Sequence, residues 1–172
     1  MIDPALRPAR ADDWPAIAAL LTAAALPLAG AHEHLSDFVV ATNATTGVLL
    51  GCAGVERYDG AALLRSVAVA PAARSQGLGD RLVREVLRRA AATGCHLAIL
   101  LTTTADRYFP RFGFRQTARG EIPLPVQASV EFKSACPVSA IMMRCELAGR
   151  DAEHRRCKQG SSALVRRCQH PA

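Results

Sequence analysis

Residues 64–79 hold the side chains and spacings best suited to chemistry. An alternating strand, Leu64-Arg65-Ser66-Val67-Ala68-Val69, runs into Pro71 and then into Arg74-Ser75-Gln76-Gly77-Leu78-Gly79. A helical pattern follows at once. Glycine at 77 and 79 removes Cβ atoms where a ligand must approach the backbone. The amides of Ser75, Gln76, Gly77, Leu78, Gly79 and Asp80 would be unpaired N–H groups of a helix start, with partial positive charge. Arg74 adds a full charge. A pyrophosphate is the natural guest for such a turn; an ordinary glycine-rich connection is the bland alternative. The spacing is not GxGxxG and the strand before it belongs to a hairpin, which disfavours a dinucleotide fingerprint. No GxxxxGK[ST] is present either.

Other reactive side chains lie on neighbouring elements. Glu56 stands on a strand, two residues before Tyr58, and can take a proton directly or through water. A solvated strand-end glutamate is its alternative. Arg65 lies among apolar strand neighbours, so its charge must meet a partner: a substrate carboxylate or a structural ion pair. His32 and His34 can line an amine site or sit on the surface. None of the six cysteines forms a CxxC. His154, Cys157, Cys168 and His170 have zinc-like spacing but no structured frame around them, so no metal is expected.

The elements that must position these groups are legible from patterning. Residues 4–8 read as a strand. Residues 13–25 read as a helix started by Asp12 or Asp13 and Pro15. Residues 16–31 also share the apolar core and small-residue end of a secretory leader. The acidic residues upstream argue for the helix instead. Residues 32–36 suggest a short helix, and 38–41 and 48–58 suggest strands. Asp59-Gly60 is a two-residue hairpin signal, with 61–70 as the partner strand. Residues 78–92 give the clearest helix, with Leu82, Val83, Val86, Leu87 and Ala90 on one stripe. Residues 97–101 form a buried-type strand, and 102–112 a helix stopped by Gly113. Residues 124–134 suggest a short helix and 139–147 the last strand. The sum is an α/β (α+β) fold, with a mixed sheet and helices on both faces.

The chain has 172 residues, half of them hydrophobic, which is enough for one full core. Of the net charge of +6, residues 149–172 supply most, with six basic and two acidic residues. The chain therefore divides into a domain at 1–148 and a basic, disordered tail at 149–172. The folded part lacks the basic face a nucleic-acid binder needs. No apolar run reaches the ~20 residues that span a bilayer. Neither nucleic acid nor membrane is expected as a partner. Thiols in apolar runs and the lack of any need for disulfide staples point to a reduced, cytoplasmic protein.

The segment LLRSVAVAPAARSQGLGDRLVREVL resembles the signature region of the GNAT superfamily of acetyl-CoA-dependent N-acetyltransferases. Its [QR]xxGx[GA] pattern matches Arg74, Gly77 and Gly79. The pattern Asn-x-x-Ala-x-x-Phe-Tyr-x-x-x-Gly-Phe falls on Thr102, Ala105, Tyr108, Phe109, Gly113 and Phe114. The resemblance implies a mostly antiparallel central sheet with one splayed strand pair. It implies acetyl-CoA as co-substrate, with Ser66, Val67, Ala68 and Val69 on the pantetheine arm. Arg74, Ser75, Gln76, Gly77, Leu78, Gly79 and Asp80 would hold the pyrophosphate, and Thr102 would stand in for the family's Asn. The acceptor would be a small-molecule amine, and a homodimer is compatible with the family. The Tyr that often protonates the leaving thiolate aligns with Phe109. Either Tyr108 replaces it, or water or the thiolate's own low basicity suffices. Glu56 would be the base, and Arg65 and His34 would meet the acceptor.

A narrower resemblance joins Leu26-Pro27-Leu28-Ala29-Gly30, His34-Leu35, the 64–71 strand, Leu100-Leu101-Thr102-Thr103-Thr104 and Glu131-Phe132-Lys133-Ser134-Ala135-Cys136-Pro137. Together these look like the arsenic-resistance-associated N-acetyltransferases of the ArsN type. That implies an acidic amino acid or a glutamate-like analogue carrying an arsinyl or phosphinyl group. The strand around Arg65 also resembles bacterial glutamate N-acetyltransferases, which serve arginine biosynthesis. A non-catalytic acyl-CoA-binding module is the rival from another class.

Overall fold

The structure is a computed structural model; it describes residues 4–135 and 139–148. Strand β1 (Pro4–Pro8) leads to helix α1 (Trp14–Ala23) and a 3₁₀ turn at His32–Asp37. An antiparallel meander follows: β2 (Phe38–Asn43), β3 (Leu49–Tyr58) and β4 (Ala61–Val69). Helix α2 (Leu78–Ala92) crosses over to β5 (Leu97–Thr102). Short β6 (Arg115–Gln116), α3 (Leu124–Gln127) and β7 (Ile141–Glu146) complete the order.

One seven-stranded sheet runs β1-β2-β3-β4-β5-β7-β6. Every pairing is antiparallel except β4 with β5, which α2 joins as a crossover. The β3–β4 hairpin turns on Asp59 and Gly60, both at positive φ (31° and 80°), as this two-residue connection demands.

Period-two alternation splits the meander between two layers. Val39, Ala41, Ala53 and Leu64 face α2, whose Leu82, Val83, Val86 and Ala90 are buried against them. Phe38, Val40 and Cys52 face the other way, onto Ile17 and Leu21 of α1. On that same side, farther along the sheet, Leu63 and Ile99 pack on Ile122, Val126 and Phe132. Each such buried aliphatic side chain contributes roughly 1.5–3 kcal/mol relative to exposure.

Two helix expectations change. Residues 102–112 do not form an α-helix. Thr102 Oγ1 instead accepts the Ala105 amide at 2.9 Å, and only a 3₁₀ turn forms at Phe109–Phe112. Pro110 explains this, since it lacks an N–H and disfavours helical geometry at the residue before it. The helix expected at 124–134 is broken in two. Ser129 Oγ accepts the Phe132 amide at 3.2 Å, separating α3 from a π-helical turn at Glu131–Ala135. Cys136 and residues 149–172, including the expected tail, lie outside the described residues.

Candidate active site

The parallel pairing of β4 with β5 runs from Ala61↔Leu97 to Leu64↔Leu100 and then stops, although both strands continue. On its other edge β4 carries a bulge. Its register with β3 skips between Arg65↔Gly54 and Ala68↔Cys52, and Ser66 sits at φ 56°. A non-glycine residue held there stores strain of order 1–3 kcal/mol, and such strain clusters at functional sites. The bulge turns the end of β4 away from β5. The gap between them is a cavity of about 590 Å³. Arg65, Ser66, Val67, Ala68, Val69 and Thr102 all line it, together with the chain after α1 and Glu131.

A second cavity of about 500 Å³ lies at the start of α2. It shares Val67, Val69, Arg74 and Phe109 with the first, so the two form one cleft along β4. Ser75, Gly77, Leu78, Gly79 and Asp80 line it. Ser75 and Gly77 both have positive φ (61° and 72°), and Gly77 caps α2 without a side-chain acceptor for the first-turn amides. Those amides are the donors a diphosphate needs. Gln76 turns back to the Ala72 carbonyl at 3.3 Å and lines neither cavity. Arg74 Nε donates to Val69 O at 3.0 Å, and the residue lines both cavities.

Tyr108 and Phe109 divide between the two ends. Phe109 borders both cavities, whereas Tyr108 lines only the second. Its hydroxyl donates to Asp80 Oδ1 at 2.8 Å, and Arg111 stacks over its ring at 4.4 Å. A Cβ on residue 79 would stand 2.9 Å from that hydroxyl, so glycine there makes room for it. Burial first, and then the hydrogen bond to Asp80, hold the Tyr108 phenol well above its ordinary range. The sequence therefore brings Tyr108 to the helix start rather than to the strand gap.

Glu56, Arg65 and His34 do come together. Arg65 donates through Nη1 to Glu56 Oε1, and both side chains are almost wholly buried. Tyr58 donates its hydroxyl to Glu56 Oε2, with His34 Nε2 at 3.7 Å from the same oxygen. Burial, and then the hydrogen bond to Glu56, raise the Tyr58 phenol, so it stays a donor through the neutral range. Arg65 Nη2 donates to the carbonyls of Ala29 (2.8 Å) and Pro27 (3.3 Å). Its Nε lies 3.3 Å from Ser66 Oγ and 3.2 Å from Glu131 Oε2. A buried guanidinium demands such partners. Among the described residues, this leaves one Nη1 N–H for a ligand. Gly30, at φ 76°, closes over the pair: a Cβ there would stand 3.2 Å from Arg65 Nη1.

Sequence patterning alone gives no role to Glu131 or Arg111. The available signal for Glu131 was an acidic residue inside an apolar stretch, next to Phe132. Cys52 is a buried thiol pushed up to about 12 by burial, so it is inert at neutral pH.

Residues 34–116 match the family profile described as the acetyltransferase (GNAT) domain. They span β2 to β6, and so include the splayed strands and the glycine turn. The profile match covers a little under half of the chain. The chain's fold is that of solved GNAT structures, among them a Staphylococcus aureus acetyltransferase (TM-score 0.68, 14% identity, covering 85% of this chain and 100% of that one). N-acetylglutamate synthase from Neisseria gonorrhoeae, solved with coenzyme A and N-acetyl-glutamate, superposes with TM-score 0.72 at 23% identity. That match covers 86% of this chain and 36% of the synthase. An amino-acid acetyltransferase of Neisseria meningitidis serogroup A is 29% identical over 127 residues, covering 69% of this chain. The chain thus spans less than a third of the length of that curated relative, 29%. Among the described residues, no helix is long and apolar enough to cross a membrane.

Proposed function

We propose that the chain transfers an acetyl group from acetyl-CoA to the amine of a small, acidic amino acid or a glutamate-like analogue. The observation that carries this reading is the parting of β4 from β5 directly beside the uncapped start of α2. One cleft then offers amide donors for a diphosphate at one end and a cavity for an acetyl group and an amine at the other. The cleft fits the coenzyme. Among the described residues, Gly77 leaves the first-turn amides of α2 free of a side-chain cap, and β4 beyond Leu64 has no strand partner on the β5 side.

Acetyl-CoA supplies an acetyl group activated as a thioester. In this reading the chain's own residues do the rest. Ser66, Val67, Ala68 and Val69 hold the pantetheine arm by backbone. Arg74 and the turn through Asp80 receive the diphosphate, and Thr102 lines the gap. Glu56 takes the amine's proton through water, with His34 on its half-exposed side as the exit to solvent. Tyr108 keeps its hydroxyl on Asp80, so the leaving thiolate takes its proton from water. Arg65 offers its remaining N–H to an acceptor carboxylate while holding Glu56 in place.

The acidic acceptor rests on Arg65 and on the likeness to an N-acetylglutamate synthase and an amino-acid acetyltransferase. An arsinyl or phosphinyl analogue is supported by the resemblance of residues 26–30, 100–104 and 131–137 to the arsenic-associated type. A reducing, cytoplasmic setting suits the buried free thiols Cys52, Cys95 and Cys145. Thiol release from acetyl-CoA across a panel of amino acids separates transfer from coenzyme binding alone. Acceptor-dependent release supports the reading. Saturable acetyl-CoA binding without release on any amine makes the chain a binding module.

A further inference from the structure

Arg111 lies on the 3₁₀ turn Phe109–Phe112, outside the glycine turn, yet it lines the cavity at the start of α2. Its guanidinium stacks over the Tyr108 ring at 4.4 Å, and its Nη1 stands 3.5 Å from Asp80 Oδ1. That ion pair is long and the Arg111 side chain is 50% exposed, a combination that contributes little stability. The ring does more of the positioning. It supports the planar face of the guanidinium and leaves the N–H edge for a ligand. Tyr108 is itself fixed, by its bond to Asp80 and by the space that Gly79 leaves for its hydroxyl. Gly79, Asp80 and Tyr108 together form a mount that holds a guanidinium beside the first turn of α2.

The charged groups lining this cavity are Arg74, Asp80 and Arg111. The diphosphate already has its donors in Arg74 and the first-turn amides of α2, which belong to one continuous stretch of chain. Arg111 comes from another element. Coenzyme A carries one further phosphate, a monoester on the 3′ oxygen of its ribose, and such a group bears a charge of about −1.5 to −2 at neutral pH. The edge of a guanidinium matches it with two parallel N–H···O bonds. We infer that Arg111 binds the 3′-phosphate of coenzyme A and makes the chain select the coenzyme over its dephosphorylated form. The inference rests on the second cavity being the diphosphate end of a coenzyme site. It gives Tyr108 a task other than proton donation: the phenol supports Arg111 and touches no reacting atom.

The test is calorimetric titration of the full chain with coenzyme A and with 3′-dephospho-coenzyme A, which differ only in that phosphate. The wild type binds coenzyme A at least about tenfold more tightly, the worth of one charge-assisted contact. In Arg111→Gln that advantage disappears, and binding of dephospho-coenzyme A stays within about twofold. Arg111→Lys, a point charge without the fork, keeps part of the preference. Tyr108→Leu removes the mount, leaves Arg111 in the chain, and lowers the preference as well. Equal wild-type affinities overturn the inference, as does an Arg111→Gln that keeps the preference. An Arg111→Gln that weakens both ligands alike also overturns it and gives Arg111 to the diphosphate. Binding of neither ligand to the wild type overturns the coenzyme reading along with this one. A wild type that discriminates the two ligands but transfers no acetyl group contradicts the transfer reading alone and leaves this inference standing.

Discussion

Arg65 reaches across from β4 to donate to Glu56 on β3, and the contact lies almost entirely out of solvent. The same guanidinium holds the carbonyls of Pro27 and Ala29, so one side chain fixes the candidate base and a wall of the acceptor cavity together.

Arg65→Ala leaves two buried carboxylates without their cation. Removing one member of a buried pair costs about 3–5 kcal/mol, so urea unfolding should show a loss of that size. At temperatures where the variant stays folded, KM for a carboxylate acceptor should rise. An unchanged KM would remove the reason for choosing an acidic acceptor.

Tyr108→Phe tests the proton donor for the leaving thiolate. The Tyr108 hydroxyl is bonded to Asp80 at the start of α2, away from the strand gap. The expected outcome is a kcat within a few-fold of wild type and a stability loss of about 1 kcal/mol for the hydrogen bond. A fall in kcat of ~10²-fold or more, the usual contribution of a general acid, would return Tyr108 to that role.

Gly77→Ala probes the coenzyme turn without crowding, since nothing lies within 4 Å of a Cβ there. The left-handed backbone at φ 72° costs an L-residue about 1–2 kcal/mol. A shift of the turn toward ordinary geometry re-aims the first amides of α2. Calorimetric titration should therefore show weaker acetyl-CoA binding along with the lost stability. Gly79→Ala acts differently, by pushing Tyr108 off Asp80. It should weaken binding less than Gly77→Ala if the amides carry the diphosphate.

Arg7 and Asp13 form a two-point pair that ties β1 to the start of α1, with N–O distances of 2.7 and 2.8 Å. The hydrogen bonds from Arg7 hold the Asp13 carboxyl below its ordinary range. A depressed folded pKa gives stability that is present above the unfolded value of ~3.9 and lost as pH falls through the folded one. Asp13→Asn should be less stable than wild type at neutral pH, and the gap should close below about pH 4. A gap that persists unchanged into acid would assign the loss to packing rather than charge.

Local signals made much of this fold legible. Asp59-Gly60 marked the hairpin, and Gly77 with Gly79 marked the helix start, because backbone geometry there depends on a few adjacent residues. The α2 stripe worked for the same reason. Long-range partners were not legible. Tyr108 is aimed by Asp80, 28 residues earlier in the chain, and Pro110 denied the helix that spacing suggested. Arg65 was legible as a charge needing a partner, but nothing local said that Glu56, Glu131 and two carbonyls would share it. Glu131 reaches the cavity only because Ser129 breaks a helix that propensity alone would continue.

The most direct test of acetyl transfer is the product itself. Incubation of the full chain with acetyl-CoA and glutamate, or an arsinyl or phosphinyl analogue, should yield the N-acetylated amino acid in equal amount to released CoA thiol, measured by mass spectrometry. Glu56→Gln should slow both by ~10²-fold or more while leaving acetyl-CoA affinity unchanged. Thiol release without N-acetylated product, or bound acetyl-CoA with neither, would contradict the assignment of the β4–β5 gap as an acetyl-transfer site.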